Sequence, residues 1–222
     1  MIRRGNFICF IGIDGSGKTT HAKALAETMK KNSINCKYVW GRFEPFLIWP
    51  MIVITKLIFL HGIDMFNNYA DYSNSKKNLL KNNFLSKLYH YLILSDYFLQ
   101  VFLKINIPLM FGKNIICDRY IHDTIVTDLA VYLGYSNGKI KKTLKNCSYF
   151  FPKPDLSFLI DISEEIAYQR KNDTPSIEYL KERRKMYLDV GKEHGMVILD
   201  GNKDLTKLKE MILQKAIVML KG

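Results

Sequence analysis

A glycine-rich segment near the start of the chain restricts the fold more than any other feature. The residues FIGIDGSGKTT at 10–20 have the spacing G-x-x-x-x-G-K-[ST], with an apolar run before it and a helical pattern after it. Glycines let the backbone curl around an anion with its N–H groups pointing inward, and a following helix directs its positive N-terminus at the same point. A chance glycine turn, the alternative, would not require this flanking pattern. The segment therefore predicts a phosphate-binding loop.

The side chains of this loop predict its ligands. Lys18 is expected to reach the β- and γ-phosphates of ATP, and Thr19 is expected to offer its hydroxyl to Mg²⁺. ATP is thus the expected phosphoryl donor and Mg²⁺ the expected cofactor. The predicted ATP-binding residues are Gly12, Ile13, Asp14, Gly15, Ser16, Gly17, Lys18, Thr19 and Thr20.

Short apolar runs alternate with stretches of helical period along the whole chain. The predicted strands are Phe7–Ile11, Lys37–Trp40, Asn114–Cys117, Leu156–Ile160 and Met196–Leu199. Most are continuously apolar, as expected of parallel strands covered on both faces. The pattern predicts an α/β fold: a three-layer sandwich of the P-loop type, with a five-stranded parallel sheet flanked by helices.

Helix signals occupy the intervals between these strands. A helix is predicted over Lys18–Lys31, and a long apolar helix is expected to bury one stripe. That stripe is Leu88, Leu92, Ser95, Leu99 and Phe102. The predicted N-caps of the later helices are Ser163, Thr174 (with Pro175 as the first helical residue) and Asp204.

The chain reads as one domain, because it contains no repeat, low-complexity tract or linker. A single domain over residues 1–222 is therefore expected. Residues 46–112, between the second and third predicted strands, are too many for one crossover helix and are expected to form an acceptor-binding helical lobe. A short polar segment at about 168–176 fits a lid that closes over transferring phosphates.

Composition restricts the partners and the compartment. Lys and Arg number 33 against 21 Asp and Glu, a formal net charge of +12, which favours a polyanionic partner without choosing among nucleic acid, an anionic membrane and a phosphate-rich small molecule. The scattered cysteines lack metal-ligand spacing, so free thiols in a cytoplasmic location are expected. The apolar stretch 46–60 is interrupted and shorter than the roughly 20 residues of a bilayer helix, so no membrane span is expected.

Charged residues follow two of the predicted strands, where open α/β sheets bind ligands. Asp118 and Arg119 end the third predicted strand; Asp118 suits a metal-facing acid and Arg119 a phosphate clamp, although a strand-end ion pair is the alternative. Arg42 ends the second strand and is either a phosphate ligand or a solvated loop residue. Arg170 and Lys171 lie at the lid, where a helix C-terminus that favours cations explains them almost as well.

Together these residues resemble the thymidylate kinase family of P-loop nucleoside monophosphate kinases. The resemblance rests on FIGIDGSGKTT, on NIICDRY at the third strand and on PDLSFLIDIS at the fourth. It implies that Asp14 lies near the acceptor or its metal, that Asp118 organises Mg²⁺, and that Arg119 and Arg42 hold the acceptor phosphate. Gly15 and Ser16 stand where some members carry an Arg, which implies a lid cation, Arg170 or Lys171, with Arg184 as a less certain helper.

The base-reading positions of that family are altered here. Its stacking aromatic and its carbonyl-reading Arg align with Ile93 and Tyr97, and its Ser and its Tyr-Gln pair with Asp123, Thr127 and Asp128. Arg-Glu-Pro-Gly is reduced to the sequence RFEP at 42–45. The residue that stacks on the acceptor is therefore left open among Phe43, Tyr89 and Tyr97.

The leading hypothesis is transfer of the ATP γ-phosphoryl group to a nucleoside monophosphate, with dTMP the best guess. The predicted catalytic residues are Lys18, Asp118, Arg119 and Arg170; the predicted acceptor-binding residues are Asp14, Arg42, Arg119 and Tyr97; the predicted metal ligands are Thr19 and Asp118. A second hypothesis keeps the kinase chemistry but changes the acceptor to another phosphorylated or lipid-linked molecule. A third is a nucleotide-dependent binding protein that is not a kinase. No nucleic-acid partner is expected, and a homodimer is possible by resemblance.

Overall fold

The computed structural model of the chain describes residues 4–50, 53–54, 69–171 and 174–221. Its centre is a parallel sheet with the strand order β2-β3-β1-β4-β5. The strands are β1 (Phe7–Ile11), β2 (Cys36–Trp40), β3 (Asn114–Asp118), β4 (Leu156–Asp161) and β5 (Val197–Asp200). All five predicted strands are confirmed, each to within one residue at either end, and so is the predicted fold class.

Helices cover both faces of this sheet. They are α1 (Lys18–Lys31), α2 (Tyr69–Leu79), α3 (Asn83–Met110), α4 (residues 121–133), α5 (Asn137–Cys147), α6 (Glu164–Arg170), α7 (Ile177–Glu193) and α8 (Leu205–Lys221). Two of them contain π-helical segments, Phe102–Asn106 in α3 and Thr124–Ala130 in α4. The first lies directly before Pro108, which has no N–H for the regular helical ladder.

Alternation along the strands divides the core into two layers. In β1, Ile8 and Phe10 pack with the buried faces of α1 and α8. Phe7, Cys9 and Ile11 pack on the other side, with α3, α4, α5 and α7. Because β1 is central and buried on both faces, the loop that follows it starts from a rigid position.

The buried face of α3 differs from the prediction. Leu88, Leu99 and Phe102 of the predicted core stripe are 38%, 36% and 39% exposed, whereas Ile93 and Tyr97 are almost fully buried. The prediction was wrong because α3 is apolar around most of its circumference, so periodicity could not indicate which side faces the sheet.

Helix α3 is also notable for its length and composition. Within the described residues it is the one helix long and apolar enough to cross a membrane, with a mean hydropathy of 1.3 over an 18-residue window, of which 33% is buried. Core helices of soluble proteins meet the same criterion. The predicted lobe 46–112 also contains residues 51–52 and 55–68, which lie outside the described ranges, as does most of the apolar stretch 46–60.

The predicted helix caps are mostly confirmed. The Ser163 hydroxyl accepts a hydrogen bond from the Ile166 N–H, and the Asp204 carboxylate accepts one from the Thr206 N–H. The predicted cap Thr174 was wrong: α7 begins two residues later, where the Ser176 hydroxyl accepts from the Tyr179 N–H at 3.1 Å. Serine and threonine are both favourable N-cap residues, so side-chain chemistry alone does not distinguish the two positions.

Candidate active site

The glycine-rich loop joins β1 to α1 in a backbone shape that glycine alone adopts easily. Gly12 and Gly15 have φ values of 141° and 81°. A Cβ atom would lie 2.5 Å from the Ile160 carbonyl oxygen at Gly12, and 2.3 Å from the Ala167 carbonyl oxygen at Gly15. The loop is therefore clamped between β4 and α6, and these positions exclude any side chain.

Lys18 folds back over the loop at the first residue of α1. Its ammonium donates to the Ile13 carbonyl at 2.6 Å and to the Ser16 hydroxyl at 3.4 Å. Burial lowers the pKa of Lys18 to about 7, Arg119 acts in the same direction, and Asp14 opposes both. A desolvated ammonium beside a ring of backbone N–H groups is well suited to binding a phosphate anion.

Asp118 and Thr19, the two predicted metal ligands, are hydrogen-bonded to each other. The Thr19 hydroxyl donates to Asp118 Oδ2 at 2.5 Å, and the Tyr38 hydroxyl donates to the same oxygen at 3.1 Å. The second carboxylate oxygen, Oδ1, is buried and has no hydrogen-bond partner in the described residues. A hydroxyl next to an orphaned carboxylate oxygen fits a divalent ion whose other ligands are phosphate oxygens and water. The described residues contain no cluster of three His, Cys, Asp or Glu side chains that would hold a metal alone.

Arg119 joins two buried carboxylates. Its guanidinium donates to Asp14 in the loop through Nη2 and to Asp123 in α4 through Nη1, the latter at 2.8 Å. Arg119 also has a φ of 73°, a left-handed backbone that is unusual for a residue with a side chain and is often found at functional sites. The ion pairs therefore form with Asp14 and Asp123, and Asp118 is left to the threonine and tyrosine hydroxyls.

Asp14 is the meeting point of this ion cluster. Burial alone would raise the pKa of its carboxyl, but Arg119, Lys18 and Lys171 together hold it well below its usual range. Lys171 lies 3.7 Å from Asp14, and the Tyr179 hydroxyl donates to the other carboxylate oxygen at 3.3 Å. The loop carboxylate is thus ionised and connected to the lid and to α7.

Two tyrosines of α7 were not identified from the sequence as site residues. Tyr179 bonds Asp14, and the Tyr187 hydroxyl donates to Asp123, whose Oδ2 is buried without a partner in the described residues. Their spacing of eight residues places both on one face of the helix. That spacing was a usable signal, but tyrosines on an amphipathic helix are more commonly core residues.

The residues predicted to bind the acceptor occupy different environments. Arg42 is half-buried beside β2, and its guanidinium interacts electrostatically with Asp14 and Asp123. Tyr97 instead lies in the core, 1% exposed, with its hydroxyl on the Gly41 carbonyl at 2.6 Å. The structure therefore gives Tyr97 a contact that positions the loop before Arg42, and its predicted contact with the acceptor stays a prediction. Phe43 packs against it edge to face.

A cavity of about 560 Å³ lies over the glycine-rich loop. It is bounded by the loop and the start of α1, by Arg119, by Arg170 and Lys171 of the predicted lid, and by the β5–α8 connection with Lys203. Arg170 is exposed and donates to the Gly201 carbonyl at 3.4 Å. The size suits a nucleotide, and cations line it from three directions.

The side chain of Arg184, the remaining candidate for a lid cation, is bound by carboxylates of β4 and α6. Arg184 donates to both Asp161 oxygens, at 2.7 and 3.0 Å, and to Glu164 at 2.8 Å. These contacts tie α7 to β4 and α6. Lid residues 172 and 173 lie outside the described ranges.

The sheet order, the loop and the cation-lined cavity define a P-loop phosphotransferase. Comparison with known proteins narrows the class: a family profile described as thymidylate kinase matches residues 73–212, more than half of the chain. The chain belongs to the thymidylate kinase family. It is therefore a phosphotransferase of the nucleoside monophosphate kinase class.

Full-length relatives are similar to the chain from end to end. A probable thymidylate kinase of Sulfurisphaera tokodaii is 28% identical over 214 residues, which cover 94% of each chain. The thymidylate kinase of Kosmotoga olearia is 25% identical over 229 residues, covering 97% of each. That of Caldanaerobacter subterraneus is 26% identical over 234 residues, covering 99% of this chain and 98% of the relative.

Proposed function

We propose that the protein transfers the γ-phosphoryl group of ATP to the phosphate of dTMP. An oxygen of the acceptor phosphate attacks the γ-phosphorus, the bond to the β–γ bridging oxygen breaks, and dTDP and ADP are the products. The acceptor oxygen is already anionic, so no strong general base is needed, and alignment and charge neutralisation supply the catalysis.

The observation that carries this proposal is the placement of charge on two sides of Asp14. The cavity of about 560 Å³ opens on one side, toward α1, α8 and the lid. Arg42, Asp123 and Tyr179 interact with Asp14 or Arg119 but do not line that cavity, and Asp123 and Tyr179 belong to α4 and α7. In-line transfer requires the attacking oxygen of the acceptor and the leaving oxygen of ADP to lie on opposite sides of the γ-phosphorus. ATP in the cavity and the acceptor phosphate beside Arg42 and Arg119 meet that requirement.

The residues that would hold Mg²⁺ are Thr19 and Asp118, and the bound ion would neutralise charge on the transferred phosphoryl group. Lys18 then faces the β- and γ-phosphates, for which it would exchange its present contact with the Ile13 carbonyl. Lys171 would likewise leave Asp14 for phosphate oxygens, and Arg170 would add a second lid cation. Both lid residues already line the cavity.

Replacement of Lys18 tests the mechanism. We expect Lys18→Ala to lower kcat about a hundredfold to a thousandfold, because a preorganised charge on the transferred group is lost. The fold should persist, since Lys18 contacts only its own loop through hydrogen bonds in the described structure. Circular dichroism with steady-state kinetics measures both. A folded variant with wild-type turnover would refute the assignment.

Acceptor choice is tested with a panel of monophosphates. We expect ATP and Mg²⁺ with dTMP to give kcat/KM at least about tenfold above dUMP, dCMP or dGMP in a coupled assay of ADP release. An alternative acceptor of the same kinase chemistry is favoured by one observation: Phe46, Leu47 and Trp49, at the start of the apolar stretch, are 71%, 59% and 60% exposed. Activity confined to another phosphorylated or lipid-linked acceptor would replace dTMP.

We also propose that two copies of the chain associate through the outer face of α3, where Leu88, Leu99 and Phe102 are exposed together. Light scattering on the purified protein measures this association directly.

A cytoplasmic location is supported by the cysteines at 9, 36, 117 and 147, all of which are buried free thiols.

A further inference from the structure

Two cations from different helices share a cage of tyrosine rings on the acceptor side of the ion cluster. The ammonium of Lys76 in α2 lies 3.8 Å from the ring centroid of Tyr132 and 5.2 Å from that of Tyr89. Arg183 in α7 stacks on Tyr179, with 3.6 Å between its guanidinium carbon and the ring centroid. Arg183 also lies 6.0 Å from the Tyr132 centroid, so both cations are close to this ring.

Arg183 is held by protein groups. It is 2% exposed, and its Nη1 donates to the Tyr69 hydroxyl at 3.1 Å and to the Tyr179 carbonyl at 3.0 Å. Its Nη2 reaches the Thr127 carbonyl at 3.4 Å. Its Nε is buried without a hydrogen-bond partner in the described residues, but the bonds from Nη1 and Nη2 to three protein oxygens fix the guanidinium in place. Arg183 therefore serves to hold the cage together.

Unlike Arg183, Lys76 forms no hydrogen bond or ion pair with any residue in the described ranges. The side chain is half-buried, and aromatic faces are its close neighbours. An ammonium carries three N–H donors, and aromatic rings satisfy it only in part. Lys76 is therefore available to donate to an oxygen atom of a ligand.

The cage is connected to the site of phosphoryl transfer. The Tyr179 ring that supports Arg183 carries the hydroxyl bonded to Asp14, so the cage begins where the ion cluster ends. An acceptor whose phosphate lies beside Arg42 and Arg119 would extend its base away from the donor cavity, into this aromatic region. Tyr97, which aligns with the carbonyl-reading Arg of related kinases, is buried with its hydroxyl on the Gly41 carbonyl.

We propose that Lys76 reads the base of the acceptor by donating a hydrogen bond to a keto oxygen, such as O4 of thymine or uracil. This inference rests on the proposed kinase function and deepens it, because it assigns to Lys76 the discrimination of a keto base from an amino base such as cytosine. At O4 the keto base offers an acceptor, whereas the N4 amino group of cytosine offers donors against an ammonium that can only donate.

The experiment compares Lys76→Met, Lys76→Arg and the control Lys81→Met with dTMP and dCMP as acceptors. Lys81 is an exposed lysine just beyond the end of α2. We expect Lys76→Met to raise KM for dTMP about tenfold to a hundredfold with kcat nearly unchanged, the effect of one hydrogen bond to a charged donor. The preference for dTMP over dCMP should fall by the same factor. Lys76→Arg should retain most of the preference, and Lys81→Met should match the wild type.

A pH profile keeps the inference testable if Lys76→Met does not fold. Burial lowers the pKa of Lys76 to about 8, Asp128 opposes this, and Arg183 reinforces it. Tyr72, Tyr89 and Tyr132 complete its surroundings, from α2, α3 and α4. KM for dTMP should rise as pH increases through about 8 in the wild type and stay level in Lys76→Arg, whose guanidinium remains charged.

The outcomes separate this inference from the proposed function. A wild-type protein that phosphorylates dTMP, with unchanged KM and selectivity in Lys76→Met, overturns the inference alone. The same rise of KM with pH in wild type and Lys76→Arg also overturns it. A wild-type protein that phosphorylates no monophosphate overturns the proposed function and this inference with it.

Discussion

At the scale of single residues, the division of labour between Asp118 and Asp14 organises the site. Asp118 receives hydroxyl donors and keeps one buried oxygen without a partner, whereas Asp14 is surrounded by cations. The two carboxylates lie at the same loop but in opposite electrostatic environments. Asp118 forms no ion pair with the described residues and suits an incoming metal ion, whereas Asp14 is already paired with Arg119 and Lys171.

Removal of one charge at Asp118 should therefore weaken the response to Mg²⁺. We expect Asp118→Asn to raise the Mg²⁺ concentration for half-maximal rate by about tenfold or more, because an amide is a poorer ligand than a carboxylate. Titration of activity with MgCl₂ measures the shift. Tyr38→Phe is the matched control, since it removes a donor to the same carboxylate and leaves the charge. Equal Mg²⁺ dependence in Asp118→Asn and wild type would contradict this role.

His122 makes stability depend on pH. It is 6% exposed, and its ring lies 5.6 Å from that of His194. Burial lowers the pKa of His122 to about 3, and His194 contributes in the same direction. The folded protein keeps His122 neutral, while the unfolded chain takes up a proton below pH 6.5, so stability is lost as pH falls below that value.

The expected loss from His122 between pH 7.5 and pH 5 is about 2 kcal/mol of unfolding free energy. His122→Gln should lose that much less over the same interval, because its side chain does not titrate. Urea denaturation at the two pH values measures it, and His194→Gln, at an exposed position, should change the slope less. Parallel pH dependence in His122→Gln and wild type would show that another group is responsible.

At the scale of elements, the start of α7 couples helix stability to the site. Ser176→Ala should lower the free energy of unfolding by about 1 kcal/mol, since the hydroxyl caps the Tyr179 N–H. Thr174→Val should be neutral or stabilising, because the Thr174 hydroxyl is buried without a partner in the described structure. Thermal or urea unfolding of the two variants compares them. If Thr174→Val is the more damaging change, the cap is wrongly assigned.

How far the sequence predicts these elements depends on whether local chemistry alone determines them. The strands and the glycine loop were predicted almost to the residue, because a continuous apolar run and a positive-φ turn leave few alternatives. Thr174 and Ser176 are equally suitable N-cap residues by their side chains, so the local sequence did not indicate that α7 starts after Ser176. Because α3 is apolar around most of its circumference, its sequence pattern did not indicate which face is buried.

The candidate site shows the same limit. Lys18, Thr19 and Asp118 were predicted from motifs whose spacing reflects their contact with one loop. Tyr179 and Arg183 of α7 and Lys76 of α2 come from two helices that are far apart in the chain and that only the fold brings together. Each taken alone resembles an ordinary helical residue, so no spacing in the sequence could have connected Lys76 with the two residues of α7.

At the scale of the whole molecule, the two faces of the sheet differ in how completely they are covered. The side covered by α1 and α8 leaves single exposed apolar residues such as Val218, whereas α3 on the other side exposes several along one helix. Contiguous apolar surface of this kind is usual where another protein packs and is costly to leave in water. A second copy of the chain would provide the same surface and would close the contact by two-fold symmetry.

The exposed apolar face of α3 predicts a dimer that charge on this helix disrupts. We expect the wild type to have twice the chain mass by light scattering, and Leu88→Asp/Leu99→Asp to have the mass of one chain, because association would bury two carboxylates from each chain in an apolar interface. Val218→Asp is the control: it places the same charge at a position 73% exposed on the opposite side of the sheet, and it should remain dimeric. A monomeric wild type, or a dimer that survives both α3 substitutions, would place the contact elsewhere. Because Leu88 and Leu99 face away from the core that holds Ile93 and Tyr97, the double variant should keep its fold.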